Sequence, residues 1–123
     1  MKSTRTIAII DDDDGVRASL GSLVRSLGYD VRFYPSAIDY LADGTMPAPD
    51  CIITDLQMPQ MSGDELQARL VGAGQSIPMI FVTAFPNEGV RNRVMAAGAI
   101  AFLEKPPAPD VIAERLARVC GTR

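Results

Sequence analysis

Four short apolar runs in this sequence stop at residues able to do chemistry. Asp11 and Asp12 follow Thr6–Ile10, Asp55 closes Cys51–Asp55, Thr83 closes residues 77–83, and Lys105 follows Ala101–Glu104. Three carboxylates, a hydroxyl and an ammonium would form one charged site if the fold brought these ends together. Carboxylates about 4 Å apart repel by about 4 kcal/mol per pair at an effective dielectric of about 20, so a cation must neutralise them. A hard divalent cation that takes oxygen ligands and keeps some of its water suits this donor set, Mg²⁺ ahead of Ca²⁺. One or both of Asp11 and Asp12 would ligate it, with Asp55 and the backbone carbonyl of Gln57. Such a site, with the Lys105 ammonium beside it, suits phosphoryl transfer. Charge on the equatorial oxygens would be neutralised while Asp55 attacks in line and becomes an acyl phosphate. The chain has no histidine, so a phosphohistidine donor must belong to a partner protein.

The acidic run Asp11–Asp14 continues into Gly15 and could be mistaken for a calcium loop. An EF-hand needs acids at alternate positions, then glycine and glutamate at fixed later places, and this register fails. Asp13 and Asp14 instead suit the start of a helix, where exposed backbone N–H groups favour negative side chains.

The elements that must position these residues follow from periodicity. Thr6–Ile10 reads as a buried strand. Val16, Leu20, Leu23, Val24 and Leu27 then recur along one face of a helix, and Gly28 supplies a left-handed stop. Asp30–Tyr34 is a second strand, residues 36–41 a short helix fading into a Gly/Pro-rich linker over 43–49, and Cys51–Asp55 a third strand. Ser62 and Glu65 form a capping-box pattern that opens a helix carrying Leu66, Leu70 and Val71, ended by Gly72 and Gly74. Residues 77–83 make a fourth strand, Val90, Val94 and Met95 mark a helix closed by Gly98, and Ala101–Glu104 is a fifth strand. Pro109 opens a last helix with Val111, Ile112, Leu116 and Val119. Nearly continuous apolar strands alternating with amphipathic helices predict an α/β fold with a five-stranded parallel sheet covered on both faces. Right-handed crossovers restrict it to doubly wound forms, and this length favours the flavodoxin-like strand order 2-1-3-4-5. Ligands of such sheets bind beyond the carboxyl ends of the strands, where the five polar residues stand.

Composition narrows the class further. The 123 residues, 47% of them hydrophobic, suit one domain over the whole chain. No apolar stretch approaches the length of a membrane span, and residues 1–5 lack the apolar core of a signal peptide, which points to the cytoplasm. A net charge of −3 without a basic run argues against direct nucleic-acid binding. Cys51 and Cys120 have no metal-ligand spacing and are expected to stay reduced.

With these residues in view, the chain resembles the receiver domains of two-component response regulators along essentially its whole length. IAIIDDDDGVR is similar to the family's first strand with its acidic pair, and CIITDLQMPQMSGDEL to its phosphoacceptor segment. FVTAF resembles the strand bearing the family's hydroxyl, and FLEKPP its lysine–proline turn. With YPSAIDYLA in the second helix, the text is closest to the FixJ-like group of this CheY-like (βα)5 fold. The resemblance implies Asp55 as phosphoacceptor, Asp11 and Asp12 as ligands of Mg²⁺, Thr83 as the hydroxyl that closes on the phosphoryl group and Lys105 as its ion partner. It places Phe102 at an aromatic switch position. Phosphorylation would draw Thr83 inward, let Phe102 turn, and remodel the surface of the fourth helix, fifth strand and fifth helix. Taken alone, Phe102 reads as a core or groove aromatic.

Met58 and Pro59 shape the loop after the acceptor, and Gly63 allows a backbone conformation or a close approach that a side chain would block. The resemblance also implies a cis peptide between Lys105 and Pro106. Two positions depart from the family: Pro107 stands where a Phe is frequent, and Phe85, two residues after Thr83, is bulkier and more apolar than is common there. Phe85 and Gln57 would flank the route of water to an acyl phosphate.

Two other functions compete. An Asp-nucleophile phosphohydrolase would need a second acid or base beside Asp55 to turn the intermediate over, where this chain has Gln57. A binding module that has lost phosphorylation would lack one of the five site residues, and all five are here. The implied partners are a histidine kinase or phosphotransfer protein and, through the switch surface, a phosphorylation-linked homodimer. FixJ-like receivers commonly precede a DNA-binding output domain, so a stand-alone receiver and one domain of a longer regulator both remain open.

Overall fold

In a computed structural model, residues 4–44 and 47–120 are described. Positions 45 and 46 of the expected linker, and 1–3 and 121–123 at the ends, lie outside these residues. Among the described residues, five strands alternate with five helices in the order β1 (Thr6–Ile10), α1 (Asp14–Ser26), β2 (Asp30–Tyr34), α2 (Ala37–Ala42), β3 (Cys51–Asp55), α3 (Gly63–Gly72), β4 (Met79–Thr83), α4 (Glu88–Ala96), β5 (Ala101–Glu104) and α5 (Pro109–Cys120). All pairings are parallel and the strand order is 2-1-3-4-5, the CheY-like flavodoxin arrangement.

The period-two alternation of the strands sorts the core into two layers. Ala8, Ile10, Ile52 and Phe81 face Ala37 of α2, Leu66 and Leu70 of α3 and Val94 of α4. Ile7, Ile9, Ile53 and Ile80 face Leu20 and Val24 of α1 and Ile112 and Leu116 of α5. Each fully buried Ile or Leu contributes about 1.5–3 kcal/mol, so the two layers hold the strand ends in fixed relation.

Local signals set the helix starts. Asp13 caps α1 by accepting the Val16 N–H (2.9 Å), and Asp14 opens its first turn. The capping box of α3 is complete: the Ser62 N–H donates to Glu65 Oε1 (2.9 Å) and the Glu65 N–H to Ser62 Oγ (3.4 Å). Gly28, Gly74 and Gly98 carry the positive φ angles that end α1, α3 and α4.

Several boundaries shift. β4 begins at Met79, not residue 77, because the ladder with β3 starts at Ile52↔Met79 and Pro78 contributes only its carbonyl, to the Ile52 N–H. α2 covers Ala37–Ala42 with Ser36 as its cap, and Gly72 falls inside α3. Two positions expected on apolar helix faces are exposed. Val71 is 55% exposed, and Leu27 lies at the exposed C-cap of α1. Both cysteines are buried and unpaired with one another, and burial raises their thiol pKa values.

Candidate functional site

The carboxyl ends of β1, β3, β4 and β5 meet at one edge, as a parallel sheet requires. Asp55 is the last residue of β3, paired in register with Val82, and Thr83 ends β4 one step further on. Asp11 follows β1 and is held there by its N–H, which donates to the Tyr34 carbonyl (3.2 Å). The Lys105 N–H donates to the Thr83 carbonyl (2.8 Å), which extends the β4–β5 edge by one residue and aims the lysine at the site.

The side chains converge. Lys105 Nζ lies 2.9 Å from Asp11 Oδ2 and 3.1 Å from Asp55 Oδ2, bridging two carboxylates that are 1% and 7% exposed as residues. The remaining oxygens also accept bonds, Asp11 Oδ1 from the Asp13 N–H (2.9 Å) and Asp55 Oδ1 from the Gln57 N–H (3.2 Å). Asp12 is exposed, yet Asp11, Asp12 and Asp55 each offer a carboxylate oxygen within 4.8 Å of the others. Burial pushes the Asp55 carboxyl up; the Lys105 hydrogen bond opposes this and the Asp11 charge adds to it. Burial alone would lower Lys105, but its two carboxylate partners outweigh it and hold the ammonium above its ordinary range.

One ammonium between three acids leaves a surplus of negative charge, and every donor is a hard oxygen. This set fits a divalent cation of the Mg²⁺ kind, with Asp11, Asp12 and Asp55 as its carboxylates. Gln57, whose backbone carbonyl is the further candidate ligand, is anchored beside Asp55 through its own N–H.

Thr83 is fully buried and its Oγ1 accepts the Phe85 N–H at 3.1 Å, so in this form the hydroxyl is engaged by the β4–α4 loop. Phe85 itself is 70% exposed. Phe102 pairs in register with Phe81 and is partly buried against the layer beneath α3 and α4. Gly63 stands where a Cβ would come 2.5 Å from the Asp55 carbonyl oxygen, so of the two reasons expected for a glycine here it is the close approach that holds. Met58 packs partly buried on the same core, Pro59 accepts the Met61 N–H (2.8 Å), and the Lys105–Pro106 peptide is cis.

One residue beside the site has no counterpart in the sequence reading. Arg17 on α1 donates to the Asp11 carbonyl (2.6 Å) and pairs with Asp14. A basic residue three positions after a helix-start acid is a pairing signal, but the sequence carries no sign of its reach to Asp11.

A doubly wound sheet with an acid–lysine site at its carboxyl edge is the arrangement expected of a receiver domain. The chain matches the response regulator receiver domain family over residues 7–117 and belongs to that family. Within it the chain is FixJ-like. It is 36% identical over 113 residues to the transcriptional regulatory protein FixJ of Rhizobium meliloti, covering 92% of this chain and 55% of that protein. It is 41% identical over 100 residues to the response regulator protein TmoT of Ectopseudomonas mendocina, covering 81% of this chain and 46% of that one. The chain thus spans about half the length of the curated relatives it matches. The crystal structure of FixJ-N superimposes with a TM-score of 0.84 at 35% identity, over 97% of this chain and 94% of the other. Among the described residues, no helix is long and apolar enough to cross a membrane.

Proposed function

We propose that residues 1–123 form a cytoplasmic receiver domain that takes a phosphoryl group from a histidine kinase or phosphotransfer protein onto Asp55. The observation that carries this reading is the Lys105 ammonium bridging Asp11 and Asp55 beside an acidic trio with Asp12. Mg²⁺ bound by Asp11, Asp12, Asp55 and the Gln57 carbonyl would supply positive charge for the phosphoryl oxygens. Asp55 attacks phosphorus, the bond to the donor nitrogen breaks, and an acyl phosphate remains on Asp55. Lys105 then pairs with the new dianion as it pairs with the carboxylate now.

Thr83 exchanges its bond with the Phe85 N–H for one to a phosphoryl oxygen. The space it vacates lets Phe102 turn inward from its half-buried position, which alters the α4-β5-α5 surface. That surface would pass the signal to a second copy of the domain or to a DNA-binding output domain, for which the relatives have room beyond the matched region. The domain itself does not bind nucleic acid in this reading. It catalyses only its own phosphorylation and dephosphorylation.

Intact-mass measurement after incubation with acetyl phosphate and Mg²⁺ tests the reading. A single added phosphoryl group that requires Mg²⁺ and is absent in Asp55→Asn is expected. No adduct, together with no response to beryllofluoride and Mg²⁺, would instead leave a phosphorylation-independent binding module.

A further inference from the structure

The peptide between Asp11 and Asp12 lies beyond the strand ladder of β1. The β1–β3 ladder ends at Ile10↔Thr54, so the Asp11 carbonyl lies beyond the last rung. Arg17 takes that place: its Nη1 donates to the Asp11 carbonyl at 2.6 Å while Nη2 pairs with the Asp14 carboxylate. The Arg17 side chain is only 17% exposed, so the fork is packed against the loop. The Asp11 carbonyl and the Asp12 nitrogen belong to one planar unit, and fixing one fixes the direction in which Asp12 leaves the loop. This matters most for Asp12, which is exposed and takes its placement from its backbone.

We infer that Arg17 is a positioning residue for the cation site, clamping the Asp11–Asp12 peptide so that both carboxylates converge on Asp55. The inference rests on the proposed reading that these acids hold Mg²⁺. Its sign is distinctive. A guanidinium this close repels a divalent cation, so on charge alone its removal would tighten Mg²⁺ binding. Clamping acts the other way, as outer partners of ligand residues do.

Mg²⁺ titration of the unphosphorylated protein, followed by amide chemical shifts, separates the two. Arg17→Met keeps the length of the stem and is expected to weaken Mg²⁺ binding roughly tenfold, in the range for lost outer partners. Arg17→Lys, with a charge but no fork, should fall between it and wild type. Asp14→Asn keeps the bond to the Asp11 carbonyl and an amide oxygen that can still accept from Nη2, and should bind closer to wild type than Arg17→Met does. Thermal melts establish that each variant is folded; if Arg17→Met is not, the Lys variant carries the comparison. Equal or tighter binding in the folded Arg17 variants would overturn the inference, as would an equal loss in Asp14→Asn. Absence of saturable Mg²⁺ binding in wild type would defeat the site reading itself, and the inference with it.

Discussion

Replacing Gly63 by alanine probes how closely α3 is docked behind the phosphoacceptor. The new Cβ would lie 2.5 Å from the Asp55 carbonyl oxygen and 3.2 Å from the Phe81 ring. The nearest obstacle is main chain, so it cannot rotate aside, and Gly63 cannot retreat freely because its N–H donates to the Leu56 carbonyl at 2.8 Å. Overpacking of this kind costs about 1–3 kcal/mol. Alanine also restricts the unfolded chain, which returns about 0.4–1 kcal/mol. The balance is a net loss of about 1–2 kcal/mol, or about 4–8 °C in Tm for a domain of this size. Thermal melts followed by circular dichroism measure that loss. Because the displaced atom belongs to Asp55, phosphorylation by acetyl phosphate should slow as well. A Gly63→Ala protein that melts with wild type and is phosphorylated at the same rate would refute the packing argument.

Three further outcomes are expected. Lys105→Met strands two buried carboxylates without their shared cation, so it should destabilise the protein by about 3 kcal/mol in denaturant titrations at neutral pH, and acidification should recover part of the loss. Asp55→Asn should do the reverse in the presence of a chelator. The folded pKa of Asp55 is raised above 3.8, so its ionisation disfavours the fold fully above that raised value and not at all well below 3.8. The variant should therefore melt above wild type at about pH 7, with an advantage that shrinks toward about pH 4; a constant difference across that range would contradict the assignment. Phe85→Glu should shorten the lifetime of the acyl phosphate, because an exposed apolar ring two residues after Thr83 would give way to a group that attracts and orients water. An unchanged or longer lifetime rejects that role.

Most of the fold was legible because its determinants are local. β1 and β3 lie where continuous apolar runs place them, since a strand buried on both faces must be apolar throughout, and the edge strands β2 and β5, which mix polar with apolar residues, also keep their expected bounds. Ser62 with Glu65, Asp13, and the glycines at 28, 74 and 98 mark helix ends through bonds and φ angles set within a few residues. The start of β4 was misjudged because Ile77 is as apolar as a strand residue, and only the pairing with Ile52 decides where the ladder begins. Val71 follows the helical pattern yet faces solvent, since α3 presents its neighbours Leu66 and Leu70 to the sheet.

The sequence by itself determined which chemical groups stand at the strand ends. In a parallel sheet of order 2-1-3-4-5 that was enough to gather Asp11, Asp12, Asp55, Thr83 and Lys105 at one edge. Only the tertiary structure decided how they pair: that Lys105 bridges Asp11 and Asp55, that the Thr83 hydroxyl is engaged by Phe85, and that Arg17 holds the Asp11 carbonyl. Residue spacing sets which backbone positions come together, whereas hydrogen-bond partners depend on side-chain directions and on which carbonyls the sheet leaves unused. Those are settled only when all the layers are packed at once.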